Sequence, residues 1–190
     1  MSSAAVVQRR WTYRDLVALP EDNLRHELLD GEHVVSPSPA LAHQQVSMNL
    51  IAAIVPYLEE QPAGRLLHAP FDVKLSLFTV LVPDLVYFTA ERFARVVNEK
   101  HAIAAPDLVV EILSPGTRRR DKGRKRAIYE REGAGEYWIV DPEAKQVTVL
   151  RRTGPAPGFT AAVTLSQPDR GVLTSPLFPG LRIPLSRVFR

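Results

Sequence analysis

Two acidic residues stand where the sequence is otherwise apolar. Asp84 interrupts the stretch TVLVPDLVYF, and Glu111 interrupts the stretch PDLVVEIL. A run that is apolar on both faces is typical of a strand buried in a sheet, where an ionised carboxylate is costly unless a partner compensates it. If the two strands pair, side chains directly opposite each other approach within about 5 Å. Two carboxylates at that distance repel, so we expect a shared proton or a divalent cation.

The composition narrows the choice of cation. The chain contains no cysteine, and its histidines form no cluster along the sequence. With oxygen ligands alone, Mg²⁺ or Mn²⁺ is the expected ion, and Asp84 and Glu111 are its expected ligands. Asp107 shares the strand face of Glu111 but lies about 13 Å away along the strand, too far to bind the same ion. We therefore place Asp107 at the entrance of the strand.

A basic segment follows the strand of Glu111. Seven of the nine residues at 118–126 are lysine or arginine, in a stretch that predicts a helix followed by the strand EYWIVD. Such a run is typical of a solvated face or a phosphate-binding patch. Lys125 differs because Ile128 and Tyr129, three and four positions later, are the large apolar residues of the helix. We expect Lys125 to face the sheet and take Lys122, one turn earlier, as the second candidate. A Lys125 that merely extends along the helix flank is the alternative.

A hairpin precedes these elements. The stretch LRHELLDGEHVVS predicts two strands joined by a turn at Asp30 and Gly31, with Glu27 on the first arm. From this stretch alone, Glu27 is interpreted as a charge on a solvated face.

The next stretch predicts an amphipathic helix. Ser38 is the expected N-cap, with Pro39 at the first helical position. The expected core stripe consists of Val46, Leu50, Ala53 and Ile54. His43 falls in the first or second turn, where a packed or capped histidine is more common than a catalytic one, so we keep it as a weaker candidate.

Length and composition limit the organisation of the chain. With 190 residues, of which 45% are hydrophobic, the sequence fits one domain, with a core at about 11–150 and C-terminal strands and a tail at 151–190. The net charge of +3 is small, so local basic clusters matter more than the total charge. The longest apolar run, residues 50–55, is far too short to cross a bilayer. We expect a cytoplasmic protein without membrane contact.

Taken in order, these stretches resemble a known family. Asp84 after a proline, then Glu111 and a lysine, resemble the PD-(D/E)XK nuclease superfamily. More closely, residues 11–189 resemble the Uma-type family of putative restriction endonucleases. The stretches that carry this resemblance are RHELLDGE, the helix near His43, VPDLVYF, PDLVVEILSP, RRDKGRKRAIY and GEYWIVDP.

The sequence departs from the superfamily motif at one position. The third residue of E-x-K is Leu113 here, so the lysine must come from elsewhere. In the resembled family the lysine comes from the following helix, which implies Lys125. The resemblance also implies a role in the site for Glu27, which corresponds to the acid of the family's opening hairpin.

The resemblance implies a fold and an activity. The expected fold is a restriction-endonuclease-like α/β core, in which helices flank a central mixed, strongly curved sheet. The expected activity is metal-dependent endonucleolytic hydrolysis of DNA phosphodiester bonds, with Asp84 and Glu111 holding Mg²⁺. Lys125 would orient or help deprotonate the attacking water and offset transition-state charge. Glu27 would position that water or complete the metal site. The residues expected to bind backbone phosphates are Arg118, Arg119, Arg120, Lys122 and Arg126.

Two other functions are compatible with the sequence. A binding protein that keeps the nuclease fold without turnover would bind nucleic acid whether or not Mg²⁺ is present. A structural or regulatory protein would use its acids as buried partners of the basic helix, for example Glu111 with Lys125. A nuclease that breaks both strands needs two active sites, which is compatible with a homodimer.

Overall fold

The computed structural model describes residues 9–154 and 157–190. The helices are α1 (Tyr13–Val17), α2 (Leu41–Glu60), α3 (Ala90–Val96), α4 (Arg118–Arg120), α5 (Arg126–Glu132) and α6 (Leu185–Val188), and a π-helical segment (Asp121–Lys125) joins α4 to α5. The strands are β1 (Arg25–Leu29), β2 (Glu32–Ser36), β3 (Gly64–His68), β4 (Asp72–Lys74), β5 (Val80–Leu81), β6 (Leu85–Thr89), β7 (His101–Ala102), β8 (Leu108–Ile112), β9 (Glu136–Asp141), β10 (Gln146–Arg151), β11 (Ala161–Ser166), β12 (Val172–Leu173) and β13 (Ile183–Pro184). None of the helices in these two ranges has the length and apolar character that a bilayer crossing requires.

A six-stranded mixed sheet forms the centre of the fold, in the order β11-β10-β9-β8-β6-β3. β8 and β9 are parallel, whereas the other neighbouring strands are antiparallel. β8 is buried along its whole length because both faces of the sheet are covered. Leu108, Val110 and Ile112 pack with α2 and the C-terminal tail. Val109 packs on the opposite face. Because side chains alternate along a strand, Glu111 shares the face of Val109.

The segments α4, Asp121–Lys125 and α5 run on without a break, and we call them together the basic helix. Ile128 and Tyr129 are buried in the same core as Val109, so the basic helix covers the face of the sheet to which Glu111 belongs. The helix ends at Gly133, whose φ of 89° is a left-handed conformation that glycine adopts without strain. The predicted helix, its apolar face and the strand after it are confirmed.

A second sheet has five strands, in the order β2-β1-β5-β4-β7. β1 and β2 form the predicted hairpin, and Asp30 and Gly31 at its turn both have positive φ. That this hairpin begins a separate sheet was not predicted. Glu27, Leu28 and Leu29 are all buried in β1, so the strand is covered on both faces. The interpretation of Glu27 as a solvated charge is therefore wrong.

Helix α2 lies on the face of the central sheet opposite to the basic helix. It begins at Leu41 with Ala40 as its N-cap, so the predicted start at Ser38 and Pro39 is two residues too early. Residues 37–40 form no helix, and Ala40 has the extended backbone of an N-cap. The predicted stripe is confirmed, since its four residues are all buried: Val46, Leu50, Ala53 and Ile54.

Candidate active site

Asp84 lies directly before β6, and the register of β6 with β8, continued by one residue, places it opposite Glu111. Its carboxylate accepts two hydrogen bonds and also lies within ion-pair distance of His43. Arg25 Nη1 lies 2.7 Å from Oδ1, while His43 Nε2 at 3.0 Å and the backbone N–H of Ile112 at 2.7 Å reach Oδ2. Burial alone would raise the pKa of Asp84, but His43 and Arg25 together hold it below its ordinary value. Asp84 is therefore ionised, and its negative charge is compensated by Arg25 and His43.

Lys125 lies at the centre of a second group of charges. Its Nζ is 2.7 Å from Glu27 Oε1, 2.9 Å from Glu111 Oε1 and 3.8 Å from Asp121 Oδ1. All four side chains are at most 2% exposed. Glu27 Oε1 also accepts the backbone N–H of Val82 at 2.8 Å. Strand β1, strand β8 and the basic helix thus bring four charged residues together, and we call Glu27, Glu111, Asp121 and Lys125 the buried charge cluster.

The π-helical segment positions two members of this cluster. Asp121 is its first residue and Lys125 its last. A π turn is wider than an α turn and occurs frequently at functional sites. The hydroxyl of Tyr137 in β9 donates to the backbone carbonyl of Asp121 at 2.9 Å, which attaches the segment to the sheet. Both charged side chains therefore point into the protein.

Burial and neighbouring opposite charges shift the pKa values of the cluster residues in opposite directions. Burial alone would lower the pKa of Lys125, but Glu111, Glu27 and Asp121 raise it above its ordinary value, so the ammonium keeps its proton. Burial raises the pKa of Glu111 well above its ordinary value; Lys125 opposes this rise, while Asp121 and Asp84 add to it. Burial likewise raises the pKa of Asp121. Burial therefore disfavours the ionised forms of Glu111 and Asp121, and the cluster contains three acids and one lysine.

Several buried atoms near the carboxylate pair have no hydrogen-bond partner: Glu27 Oε2, His43 Nδ1, Glu111 Oε2 and Asp121 Oδ1. Over residues 9–154 and 157–190, no group of three or more acidic or histidine side chains is arranged to hold a metal ion. Asp84 and Glu111 nevertheless fit Mg²⁺, which binds proteins through one or two carboxylates and fills its other positions with water and phosphate oxygens. The free oxygen Glu111 Oε2 is an available ligand.

Sequence reasoning missed two charged residues of this site. Arg25 stands two positions before Glu27 in β1, so both side chains lie on the same face of the strand. Asp121 stands four positions before Lys125 in the basic helix. Spacing alone could have indicated both residues once Glu27 and Lys125 were recognised as inward-facing.

The second candidate lysine lies elsewhere. Lys122 is half exposed, and its Nζ is 3.7 Å from Asp141 Oδ2. Arg118 pairs with the same carboxylate, its Nη2 3.0 Å from Asp141 Oδ1, and also contacts Glu143 at 2.8 Å. Lys125, and not Lys122, is therefore the lysine that the structure brings to the carboxylate pair.

The other predicted phosphate-binding residues divide into two kinds. Arg120 turns inward, where its Nη2 donates to Ser36 Oγ at 2.5 Å and lies 3.6 Å from Glu27 Oε2. Arg119 and Arg126 are exposed, and neither forms an ion pair or a side-chain hydrogen bond with another described residue. Of the five residues predicted to bind phosphate, these two arginines are the ones whose charged group pairs with no other described residue.

A cleft of about 790 Å³ opens beside the carboxylate pair. Asp84, Arg25 and His43 belong to its lining, together with the first turns of α2 and the loop after β8. None of the four residues of the buried charge cluster lines it. Asp84 is thus the carboxylate that a ligand in the cleft would reach first.

We compared the fold with solved structures and the sequence with known protein families. The fold is that of a protein from Anabaena variabilis whose crystal structure is described as a putative nuclease belonging to DUF820. The two chains are 20% identical and superimpose with a TM-score of 0.77 over 94% of this chain and 97% of that one, which confirms the predicted fold class.

Residues 13–186 match the Uma2 family, described as a putative restriction endonuclease. Because this match covers most of the chain, the protein belongs to that family, and the predicted resemblance is confirmed. No curated protein matches the chain.

Proposed function

We propose that this protein is a metal-dependent endonuclease that hydrolyses phosphodiester bonds in DNA. The observation that carries the proposal is the placement of Asp84 opposite Glu111 on adjacent strands, with Lys125 Nζ 2.9 Å from Glu111. Membership of a family described as a putative restriction endonuclease supports the same class of reaction.

Asp84 and Glu111 would hold Mg²⁺ or Mn²⁺. A divalent ion at such a pair polarises the scissile phosphate and lowers the pKa of a bound water. Glu111 would contribute Oε2, which no donor occupies. Both oxygens of Asp84 already accept hydrogen bonds, so Arg25 would have to turn away from Oδ1. A phosphate entering the cleft offers the Arg25 guanidinium another anion, whose geometry it matches with two hydrogen bonds.

Lys125 would compensate charge and would not act as a base. Three acids around Lys125 hold its proton, because they raise its pKa. We assign Glu27 to the positioning of Lys125, since Glu27 Oε1 lies 2.7 Å from the ammonium. The cluster as a whole would then fix the orientation of the Glu111 carboxylate at the strand pair.

His43 is the better-placed group to accept a proton from the attacking water. Its Nε2 lies 3.0 Å from Asp84 Oδ2, and its buried Nδ1 has no hydrogen-bond partner. A neutral imidazole that donates through one nitrogen accepts through the other. The carboxylate that orients the ring is Asp84, an arrangement that suits a general base.

A second candidate is a nuclease-fold protein that binds nucleic acid without cutting it. The observation that favours it is the complete burial of Glu111 and Lys125 against each other, outside the cleft. Such a protein would bind DNA equally well with and without Mg²⁺. Its binding would rest on exposed cations such as Arg119 and Arg126, and Glu111→Ala would leave it unchanged.

Nicking of supercoiled plasmid separates the two candidates. The purified protein is incubated with Mg²⁺, with Mn²⁺ and with EDTA, beside Glu111→Ala and the control Glu143→Ala, which removes a carboxylate that is 83% exposed. We expect nicking with either metal, none with EDTA, loss of nicking in Glu111→Ala and full nicking in Glu143→Ala. Nicking that persists in EDTA or in Glu111→Ala would contradict the proposal. A preparation that shifts DNA in a gel but cuts neither the plasmid nor a single-stranded oligonucleotide would favour the second candidate.

A further inference from the structure

The walls of the cleft at Asp84 are largely apolar. Side chains from four segments contribute to them: Leu24, Met48, Ile51, Pro70 and Pro115. Met48 is 63% exposed and Leu24 is 46% exposed, so large apolar groups face solvent beside the carboxylate pair. An apolar cleft with a few polar groups at one end is the usual form of a ligand-binding site.

The cleft also carries little positive charge. Arg25 is the only lysine or arginine among the described residues that line it. Duplex DNA carries one negative charge per about 1.7 Å of its axis, so a groove that holds a duplex requires many cations along its length. No residue of the range 118–126 lines the cleft. The cleft therefore has one cationic side chain, Arg25, with which a single phosphate could pair.

His43 adds a polar position to the lining. Its side chain is nine-tenths buried, and its Nδ1 has no hydrogen-bond partner. The lining thus combines apolar walls, one guanidinium and the His43 imidazole, all next to Asp84.

We propose that this cleft binds a single unpaired nucleotide of a DNA strand, with the base against the apolar walls and the adjoining phosphate at Arg25. The protein accordingly cuts unpaired DNA in preference to continuous duplex. This inference rests on the proposed function, because the phosphate at Arg25 is the one presented to the carboxylate pair. The volume of about 790 Å³ lies within the range of roughly 300–1,000 Å³ that is usual for sites that enclose a small molecule. Cutting one strand requires one active site, so this reaction does not depend on a dimer.

The first part of the test compares substrates. One labelled oligonucleotide is offered single-stranded, fully paired, and paired except for a short central loop of unpaired nucleotides, each with Mg²⁺. An unpaired base can be buried against the apolar walls, whereas a paired base stays in the duplex, so we expect a preference of about tenfold or more in kcat/KM over the fully paired form. Cleavage of the looped substrate is expected within the loop.

The second part of the test changes the wall of the cleft. Met48→Glu introduces a carboxylate at an exposed position of α2 that lines the cleft, and Leu77→Glu introduces the same charge at a position that is 52% exposed and does not line it. We expect Met48→Glu to raise KM for the single-stranded substrate about tenfold with little change in kcat, and Leu77→Glu to leave both constants near those of the wild type.

The outcomes separate this inference from the proposed function. Equal or faster cleavage of the fully paired substrate, or equal behaviour of Met48→Glu and Leu77→Glu, overturns the inference while the nuclease remains. If no substrate is cut, the proposed function fails, and fluorescence anisotropy of the same oligonucleotides then decides the inference. A preference for the unpaired form that Met48→Glu abolishes supports it. Binding without that preference, or no binding, overturns it.

Discussion

The two carboxylates that face each other across β6 and β8 have different surroundings. Asp84, at the cleft, accepts hydrogen bonds from Arg25 and from the backbone of Ile112, and its pKa is lowered because His43 and Arg25 outweigh the effect of burial. Glu111, in the interior, shares one lysine with two other acids, has one unpartnered oxygen, and its pKa is raised by burial. The shortage of positive charge therefore lies at the buried end of the pair. A divalent cation bound between them would therefore stabilise the ionised form of Glu111 more than that of Asp84.

The largest effect on stability is expected when Lys125, at the centre of the buried charge cluster, is replaced. Lys125→Met removes the one lysine that lies among three buried acids, so the free energy of unfolding should fall by about 3–5 kcal/mol in urea denaturation. The matched control is Lys122→Met, three residues earlier, where the ammonium is half exposed and the change should stay within about 0.5 kcal/mol. Equal losses in the two variants would show that burial does not distinguish the two lysines.

Neutralising the cleft-side carboxylate should also destabilise the protein. Asp84→Asn weakens hydrogen bonds to a charged group and leaves Arg25 without its anion, so a loss of about 1.5–3 kcal/mol is expected near neutral pH. Because the folded-state pKa of Asp84 is lowered, its contribution is present above the unfolded-state pKa and is lost as the pH falls through the folded-state pKa. Urea denaturation of both proteins should therefore converge in acid. A difference that persists unchanged at low pH would contradict this assignment.

Neutralising the buried carboxylate should have a smaller effect of opposite sign. Glu111→Gln keeps an oxygen for Lys125 and removes surplus negative charge, so the thermal midpoint without metal should rise. The folded-state pKa of Glu111 is raised, so its contribution to stability falls as the pH increases from the unfolded-state pKa to the folded-state pKa. The advantage of the variant should grow across that window. A purely structural Glu111–Lys125 ion pair requires a lower midpoint instead.

The smallest effects concern the outer face of the basic helix. Arg119→Ala and Arg126→Ala should each weaken DNA binding and reduce the slope of log affinity against log salt by about 1, because each removes one phosphate contact. Arg118→Ala should leave that slope unchanged, since its guanidinium is held by Asp141 and Glu143. Fluorescence anisotropy over a range of salt concentrations measures all three. A change of slope in Arg118→Ala alone would reverse the assignment.

The buried part of the site could be predicted where the pattern of neighbouring residues in the sequence was sufficient. The apolar run around Glu111 predicts a buried strand, and the i+3 and i+4 spacing of Ile128 and Tyr129 predicts that Lys125 faces the sheet. The pairing of the strands of Asp84 and Glu111 needed one assumption, that consecutive apolar runs are neighbours, and the register confirms it.

Other features depend on contacts between residues that are distant in sequence. Glu27 lies in the interior with Lys125 and the backbone N–H of Val82, both distant in sequence, against its carboxylate, and no pattern within the hairpin indicates this. Arg120 turns inward because Ser36 Oγ, 84 positions earlier, accepts its hydrogen bond. Arg25 is held at the cleft by Asp84, 59 positions later. These contacts form only when the two sheets pack together, so the sequence around each residue does not indicate them.

Binding of Mn²⁺ tests most directly whether Asp84 and Glu111 form a metal site. The thermal midpoints of the wild type, Asp84→Asn and Glu111→Gln are measured with and without Mn²⁺, each variant compared with itself. At a free concentration of 100 times Kd, a single site stabilises the folded protein by about 2.7 kcal/mol. We expect that gain in the wild type and its loss in both variants. A wild type that gains nothing, or variants that gain as much as the wild type, would contradict a metal site at this pair.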